Sequence, residues 1–176
     1  AGTRQGGRYT KKITMARAMY AGDCWMMDAT RVNFIEHETA KNSREYASLV
    51  VIAVRDAYSG DIVGIHFDTK EDRWAYTNAL NMAVKTTGYL PHTLVYDRFP
   101  GHFSDEMQSI LGAFESKGVD LVCTHLATGK ALLELWWDTL QTVFFTDSPF
   151  YYGEGIQSTR KYAHRSPEYL LKMRKE

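Results

Sequence analysis

The chain has 176 residues, of which 44% are hydrophobic and 24% charged, an ordinary globular composition whose length suggests one domain. Its two cysteines, Cys24 and Cys123, exclude a secreted disulfide scaffold and a cysteine-based zinc module, and they suit a reducing compartment. The longest strictly apolar run, Leu49–Val54, has six residues, whereas a membrane helix needs about 20. We therefore expect no membrane span, and the first twenty residues contain no apolar core of a signal peptide.

The formal net charge is zero, yet both ends of the chain are basic. Residues 1–22 carry five Lys or Arg and no acid, and residues 157–176 carry six Lys or Arg against two Glu. The segment between them is acidic. Solvated tails are the simpler explanation. The alternative is a pair of basic arms that hold a polyanion while carboxylates of the core hold cations.

The first part of the chain has the pattern of a β-meander. Irregular, glycine-containing residues 1–22 precede three predicted strands, which are Cys24–Phe34, Leu49–Asp56 and Ile62–Phe67. The second strand is a nearly continuous Val/Ile run, which is typical of a strand buried on both faces. A turn over residues 58–61 joins it to the third strand, so we expect antiparallel pairing.

After residue 70 the hydrophobic period changes from 2 to 3.6. A helix is predicted over residues 72–87, ended by Gly88 and followed by the short strand Leu94–Asp97. A second helix, capped by Ser104 and ended near Gly118, precedes the strand Val119–Cys123. A long helix is predicted over Lys130–Phe144, with Val143 and Phe144 among its apolar positions.

This order, β-β-β-α-β-α-β-α, predicts an α/β fold, a mixed sheet with helices on both faces. We divide the chain into a basic lead-in (1–22), a core (23–146) and a basic C-terminal extension (147–176), in which residues 167–175 can form a short helix. The four tryptophans are expected in the core, with exposure of Trp137 on its helix as an alternative.

Three carboxylates stand out by their position among the 21 acidic residues. Asp28 interrupts an apolar strand, where an unpaired charge is costly. Asp97 closes the fourth strand, and sites of α/β sheets gather at such strand ends. We expect the first and fourth strands to be neighbours in a sheet of this order. Glu134 lies near the start of the last helix, which can pack beside both strands. Clustered carboxylates repel one another unless cations are present, and hard oxygen ligands favour Mg²⁺ or Mn²⁺. Two such ions about 3.5–4 Å apart support phosphoryl transfer.

Each carboxylate also has a structural explanation. Asp28 can bond a neighbouring loop, Asp97 can cap a turn, and Glu134 can pair with Lys130 one turn earlier on a solvated helix face. Asp138, one turn after Glu134, is an alternative ligand.

The sequences around these carboxylates resemble the three motifs of DDE transposases and retroviral-type integrases. Trp25-Met26-Met27-Asp28-Ala29-Thr30 resembles the motif W-x-x-D-x-T, and Val95-Tyr96-Asp97 resembles the second motif. Residues 128–141 resemble G-K-x-x-x-E-x-x-W-x-T-L-Q, with 36 residues between Asp97 and Glu134. The resemblance covers roughly residues 22–145, its element order matches the RNase H-like core of that family, and the stretch over residues 148–162 looks like Mu-type bacterial transposases.

The resemblance implies a catalytic core that cleaves DNA ends and transfers strands by metal-dependent phosphoryl transfer. Asp28 and Asp97 would coordinate two Mg²⁺ ions, which Mn²⁺ can replace, with Asp28 bridging and Glu134 completing the second site. The implied partners are transposon ends, target DNA and further copies of the chain assembled on DNA, with no membrane. The implied location is the bacterial cytoplasm, in association with the nucleoid.

Two departures from the family pattern concern the surroundings of the carboxylates. The chain has Asp97-Arg98-Phe99-Pro100-Gly101-His102 where integrases commonly have Asp-Asn-Gly, and Leu135 follows the glutamate where many relatives have a polar residue. Arg98, His102, His125 and Lys130 are candidate DNA contacts, although a loop histidine is more often simply exposed to solvent. An RNase H-like nuclease without strand transfer and a catalytically silent DNA-binding or oligomerisation module are the alternative functions.

Overall fold

The computed structural model describes residues 18–32, 49–124 and 131–145, together with Ser148 and Tyr151. Within these residues the strands are β1 (Cys24–Val32), β2 (Leu49–Asp56), β3 (Ile62–Asp68), β4 (Thr93–Tyr96) and β5 (Asp120–Cys123). The helices are α1 (Arg73–Thr87), α2 (Asp105–Ser116) and α3 (Ala131–Thr139), and the π-helical segment Leu140–Phe145 continues α3. These elements follow the predicted order.

In the part of the chain that is described, the strands form one mixed sheet in the order β3-β2-β1-β4-β5. β1 is antiparallel to β2 and parallel to β4, so the predicted meander and the predicted pairing of the first and fourth strands are confirmed. The entry to β1 is bonded to the entry to β4. The His92 amide donates to the Gly22 carbonyl (2.8 Å), and the Thr93 amide donates to the Asp23 carbonyl (3.0 Å).

The two faces of the sheet carry separate hydrophobic clusters. Successive strand side chains alternate between faces, so Trp25 and Met27 of β1 pack with α1 and α2, while Met26 and Val32 pack with α3. The predicted α/β class, with helices on both faces of a mixed sheet, is therefore confirmed. This arrangement is compatible with an RNase H-like fold.

Helix α1 packs closely on the sheet. Asp72 caps its first turn by accepting from the Trp74 and Ala75 amides (2.9 and 3.1 Å), and Gly88 ends it at φ 76°. A Cβ added at Gly64 of β3 would overlap the Ala79 carbonyl oxygen of α1. Glycine at this position therefore permits the close approach of helix and strand.

Helix α3 is fixed to the opposite face by a few strong contacts. Leu133 and Trp137 are its buried side chains in that cluster. From β2, the Arg55 guanidinium donates to the Leu132 carbonyl of α3 and also, through Nε, to the Gly60 carbonyl (2.9 Å). Arg55 thus links the β2–β3 turn to the first turns of α3.

The end of α3 departs from the prediction of one continuous helix to Phe144. The α-helix stops at Thr139, and residues 140–145 are π-helical. The Thr139 and Thr142 hydroxyls donate to the carbonyls four residues earlier (2.9 and 2.7 Å), in a run of β-branched and aromatic residues with weak helix propensity. The wider π turn changes the face that each side chain occupies. Val143 and Phe144, predicted to be apolar contact positions, are exposed.

One prediction about the tryptophans is wrong: Trp74 was expected in the core but is exposed at the start of α1. Trp137 is buried as predicted, so the alternative of its exposure does not hold. Trp25 is fully buried, as predicted. Most of the basic lead-in, the end of the first predicted strand, and residues 167–175 of the C-terminal extension lie outside the described residues.

Asp56, at the end of β2, is a buried carboxylate that organises its surroundings. It accepts from the Gly22 amide (2.6 Å) before β1 and from the Tyr58 and Ser59 amides (3.0 and 2.8 Å) of the β2–β3 turn. Only 1% of the side chain is exposed. One carboxylate therefore joins the turn to the entry of the central strand.

We expect Asp56→Ala to lower the free energy of unfolding by about 3 kcal/mol, because it leaves three backbone donors without their acceptor. Urea denaturation of the full chain measures the effect. Asp61→Asn, at an exposed position of the same turn, is the matched control and should change stability by less than about 0.5 kcal/mol. Equal losses in the two variants would contradict the role of Asp56.

Candidate functional site

Asp28 and Asp97 lie side by side at adjacent strands. β1 and β4 pair in parallel with Met27 opposite Tyr96. The residues that follow this pair are Asp28 in β1 and Asp97 after β4. Neighbouring strands are about 4.8 Å apart. Strand β4 ends one residue earlier than predicted, which makes Asp97 the first residue after it. Both side chains are half-buried, and each has interactions with other groups of the chain.

Strand alternation places Asp28 on the face that α3 covers. Asp28 lies two residues from Met26 and four from Val32, both of which belong to the cluster with α3. Val95, two residues before Asp97, belongs to the same cluster. The Asp97 carboxylate accepts from the Arg98 amide (2.7 Å). The pair therefore lies where the last helix meets the sheet.

Glu134 lies on this helix, next to the fully buried Leu133, and is itself exposed. Helix α3 packs against β1, the strand of Asp28. Among the described residues, however, no group of three or more His, Cys, Asp or Glu side chains is close enough to hold a metal ion. The fold thus brings Asp28 and Asp97 together and places Glu134 on the helix over the same face, without joining the three into one ligand cluster. Asp138, the alternative ligand, is also exposed on α3.

The electrostatic influence of the carboxylates extends to a buried phenol. The Tyr76 hydroxyl of α1 donates to Glu71 Oε1 (2.9 Å). Burial raises the pKa of Tyr76 first, followed by the charge and hydrogen bond of Glu71 and then the charges of Asp28 and Asp97. Three carboxylates therefore act on the Tyr76 hydroxyl. Sequence reasoning missed Glu71, because a glutamate just before a helix cap has the pattern of an ordinary surface residue.

The candidate DNA contacts have different environments. Arg98 is exposed, as a DNA-binding residue must be. His102 was expected to be exposed to solvent but is only 7% exposed, among the rings of Tyr96, Phe99 and Phe103. Within the described residues neither of its ring nitrogens has a hydrogen-bond partner. Apolar packing against three aromatic rings explains the burial. His125 and Lys130 lie outside the described residues.

Comparisons of sequence gave no relatives: no protein-family model matches the chain, and no curated protein matches it. A comparison of structures gave a clear similarity of fold. A chain of the simian T-cell lymphotropic virus intasome, in complex with PP2A regulatory subunit B56 gamma, matches with a TM-score of 0.60 and 18% identity. The match covers 76% of the present chain but 45% of the matched chain. At this identity the similarity shows a likeness of fold alone, and the specific likeness to Mu-type transposases stays a prediction.

No helix in the described part of the chain is long and apolar enough to cross a membrane. This agrees with the absence of a long apolar run in the sequence.

The environment of His102 predicts a pH dependence of stability. Burial, and then the charge of Arg98, lower the pKa of His102 from its ordinary 6.5. Below pH 6.5 the unfolded chain therefore binds a proton that the folded chain still rejects, and stability falls until the lower folded pKa is reached. One such group contributes at most about 1.4 kcal/mol per pH unit.

When the pH falls from about 7.5 to about 5, we expect the His102→Leu variant to lose less free energy of unfolding than the wild type does. The variant has no histidine at this position, so the difference in proton binding between its folded and unfolded chains is gone. Urea denaturation at both pH values measures this. His92→Asn, at an exposed histidine, should keep the wild-type difference. A His102→Leu variant with the full wild-type loss would show that other groups cause it.

Proposed function

We propose that the chain is the catalytic core of a DNA transposase or integrase that cleaves DNA ends and joins them to target DNA with divalent metal ions. The observation that carries the proposal is the placement of Asp28 beside Asp97, on the sheet face covered by the helix of Glu134. The distant integrase-like fold supports it, as do the three sequence motifs around these residues.

The donor set fits a hard divalent cation. Asp28 and Asp97 supply carboxylate oxygens, which are the ligands that Mg²⁺ and Mn²⁺ prefer. Their charges also act together on the Tyr76 hydroxyl. Asp28 and Asp97 would hold the cations, and Glu134 would complete a second site. Such ions would activate the attacking hydroxyl or water and stabilise the leaving oxygen.

The protein's own contribution is to position these groups. Asp28 belongs to β1, which is bonded on both sides, so its backbone is held rigidly. Leu133, Trp137 and the Arg55 bond hold α3, and with it Glu134, over this strand. Arg98, which follows Asp97 in the chain and is exposed, supplies a positive charge that can pair with a DNA phosphate.

The proposed partners follow from this chemistry. DNA ends and target DNA are the substrates, and the basic segments at residues 1–22 and 157–176 add affinity that does not depend on sequence. Joining two ends to one target calls for several copies of the chain on DNA. Association with the bacterial nucleoid would follow from DNA binding.

We expect Asp28→Asn and Asp97→Asn each to reduce DNA nicking and joining by about a thousandfold, since several kcal/mol of metal-derived stabilisation are lost. The assay incubates the full chain with Mg²⁺ or Mn²⁺, a supercoiled plasmid and a labelled duplex that ends in a free 3′-hydroxyl. Nicked plasmid reports cleavage, and a labelled branched product reports joining. Asp120→Asn, at an exposed position at the start of β5, should keep full activity.

Glu134→Gln and Asp138→Asn identify the third ligand. We expect the first to lose activity as Asp28→Asn does, and the second, one turn later on the same helix, to retain it. Nicks without branched product would favour the nuclease, and DNA binding without either product would favour the silent module. Undiminished activity of Asp28→Asn and Asp97→Asn would overturn the proposal.

A further inference from the structure

The loop that leaves Asp97 and leads to α2 is firmly held. The His102 amide donates to the Phe99 carbonyl, and the Ser104 amide donates to the Gly101 carbonyl, each at 3.0 Å. Gln108 Nε2 of α2 donates to the His102 carbonyl (2.7 Å). The Phe99 ring is buried and stacks on Tyr76, with the ring centroids 3.8 Å apart. The side chains that this loop exposes therefore have defined positions.

Phe103 is the most exposed aromatic side chain among the described residues, at 71%. The Arg98 guanidinium lies 5.5 Å from the centre of its ring, and the buried His102 ring meets it edge-on at 4.7 Å. The loop thus exposes a flat apolar ring, against which the His102 ring packs and beside which the Arg98 guanidinium lies. An exposed ring beside a guanidinium offers a ligand both an apolar surface and a positive charge.

We propose that Phe103 and Arg98 form a stacking platform for an unpaired nucleobase of the DNA strand that enters the site. A base stacks on an aromatic ring whatever its identity, and a guanidinium pairs with the adjoining phosphate or stacks on the base. Arg98 directly follows Asp97, so a strand anchored there passes beside the Asp28–Asp97 pair. The inference rests on the proposed function and adds to it that the strand has an unpaired base at the site.

The charged residues around Phe103 indicate on which side of the ring the DNA backbone passes. Asp105 and Glu106 follow Phe103 and are exposed at the start of α2, where they repel phosphates. Glu106 also faces Arg73 at 3.6 Å. The phosphate next to the stacked base therefore lies on the Arg98 side of the ring. Since the Phe103 side chain has no polar atom, the ring does not distinguish one base from another, and the platform binds independently of the DNA sequence.

The test uses duplex DNA that carries one unpaired 2-aminopurine, a base whose fluorescence is quenched by stacking, with the full chain and no divalent metal. We expect binding to quench the fluorescence, and Phe103→Leu to weaken affinity for this duplex about tenfold, as loss of one base-stacking contact does. Phe103→Trp should retain the quenching.

Arg98→Met should reduce the salt dependence of the DNA affinity by about one phosphate contact. Phe67→Leu, at an exposed phenylalanine on β3 at the far edge of the sheet, is the matched control.

Each outcome decides between explanations. Equal affinities for Phe103→Leu and Phe67→Leu, or equal binding of paired and unpaired duplexes, would overturn the platform. A change of sedimentation coefficient in Phe103→Leu without a change in DNA affinity would also overturn it, because the ring would then contact another copy of the chain. If base stacking occurs but the metal-containing assay gives neither nicks nor branches, the proposed function fails and the platform stands.

Discussion

The candidate site depends above all on the register between β1 and β4. Side chains alternate along a strand with a period of two, so a slip of one residue would move Asp28 to the other face, among Trp25, Met27 and α1. The register is fixed at the entry to the two strands, where Gly22 and Asp23 accept from His92 and Thr93. Asp56 holds the same entry from the other side through the Gly22 amide. A buried structural carboxylate thus supports the alignment of Asp28, in the middle of β1, with Asp97, directly after β4.

The two faces of the sheet differ in how they are covered. The face under α1 and α2 is a dense core, in which Gly64 lets helix and strand approach closely. The face under α3 carries Asp28 and is covered by a short helix held mainly through Leu133, Trp137 and Arg55. Stability is concentrated on one face and the candidate chemistry on the other. Local opening should therefore begin on the α3 face, whose cluster contains fewer buried side chains among the described residues.

Sequence reasoning succeeded where local pattern determines the structure. The alternation and Val/Ile content of β1–β3, the cap at Ser104, and Gly88 were sufficient to predict the order of elements. The pairing of β1 with β4 also followed from that order, and with it the neighbourhood of Asp28 and Asp97. These features depend on residues close in sequence or on general rules of connection.

The failures concern contacts between distant segments. The burial of His102 depends on rings contributed by Tyr96 and Phe99. The exposure of Trp74 depends on which face of α1 packs against the sheet, and Trp74 lies outside that face. Phe144 was assigned to an α-helical face that the π turn does not preserve. Glu71 acts on the site through Tyr76, a relation that spacing alone does not indicate. The relation of Glu134 to the carboxylate pair stays a prediction.

The parallel pairing of β1 and β4 also has a consequence for the order of folding. Met27 and Tyr96 are partners about seventy positions apart, so their meeting requires the closure of a long loop, which is slow compared with forming adjacent hairpins. The β2–β3 hairpin and α1 lie within that loop and consist of local contacts. A chain emerging from the ribosome can complete these elements before β4 exists. The two aspartates therefore become neighbours only after most of the sheet has formed, so the unfinished chain lacks the carboxylate pair of the proposed metal site.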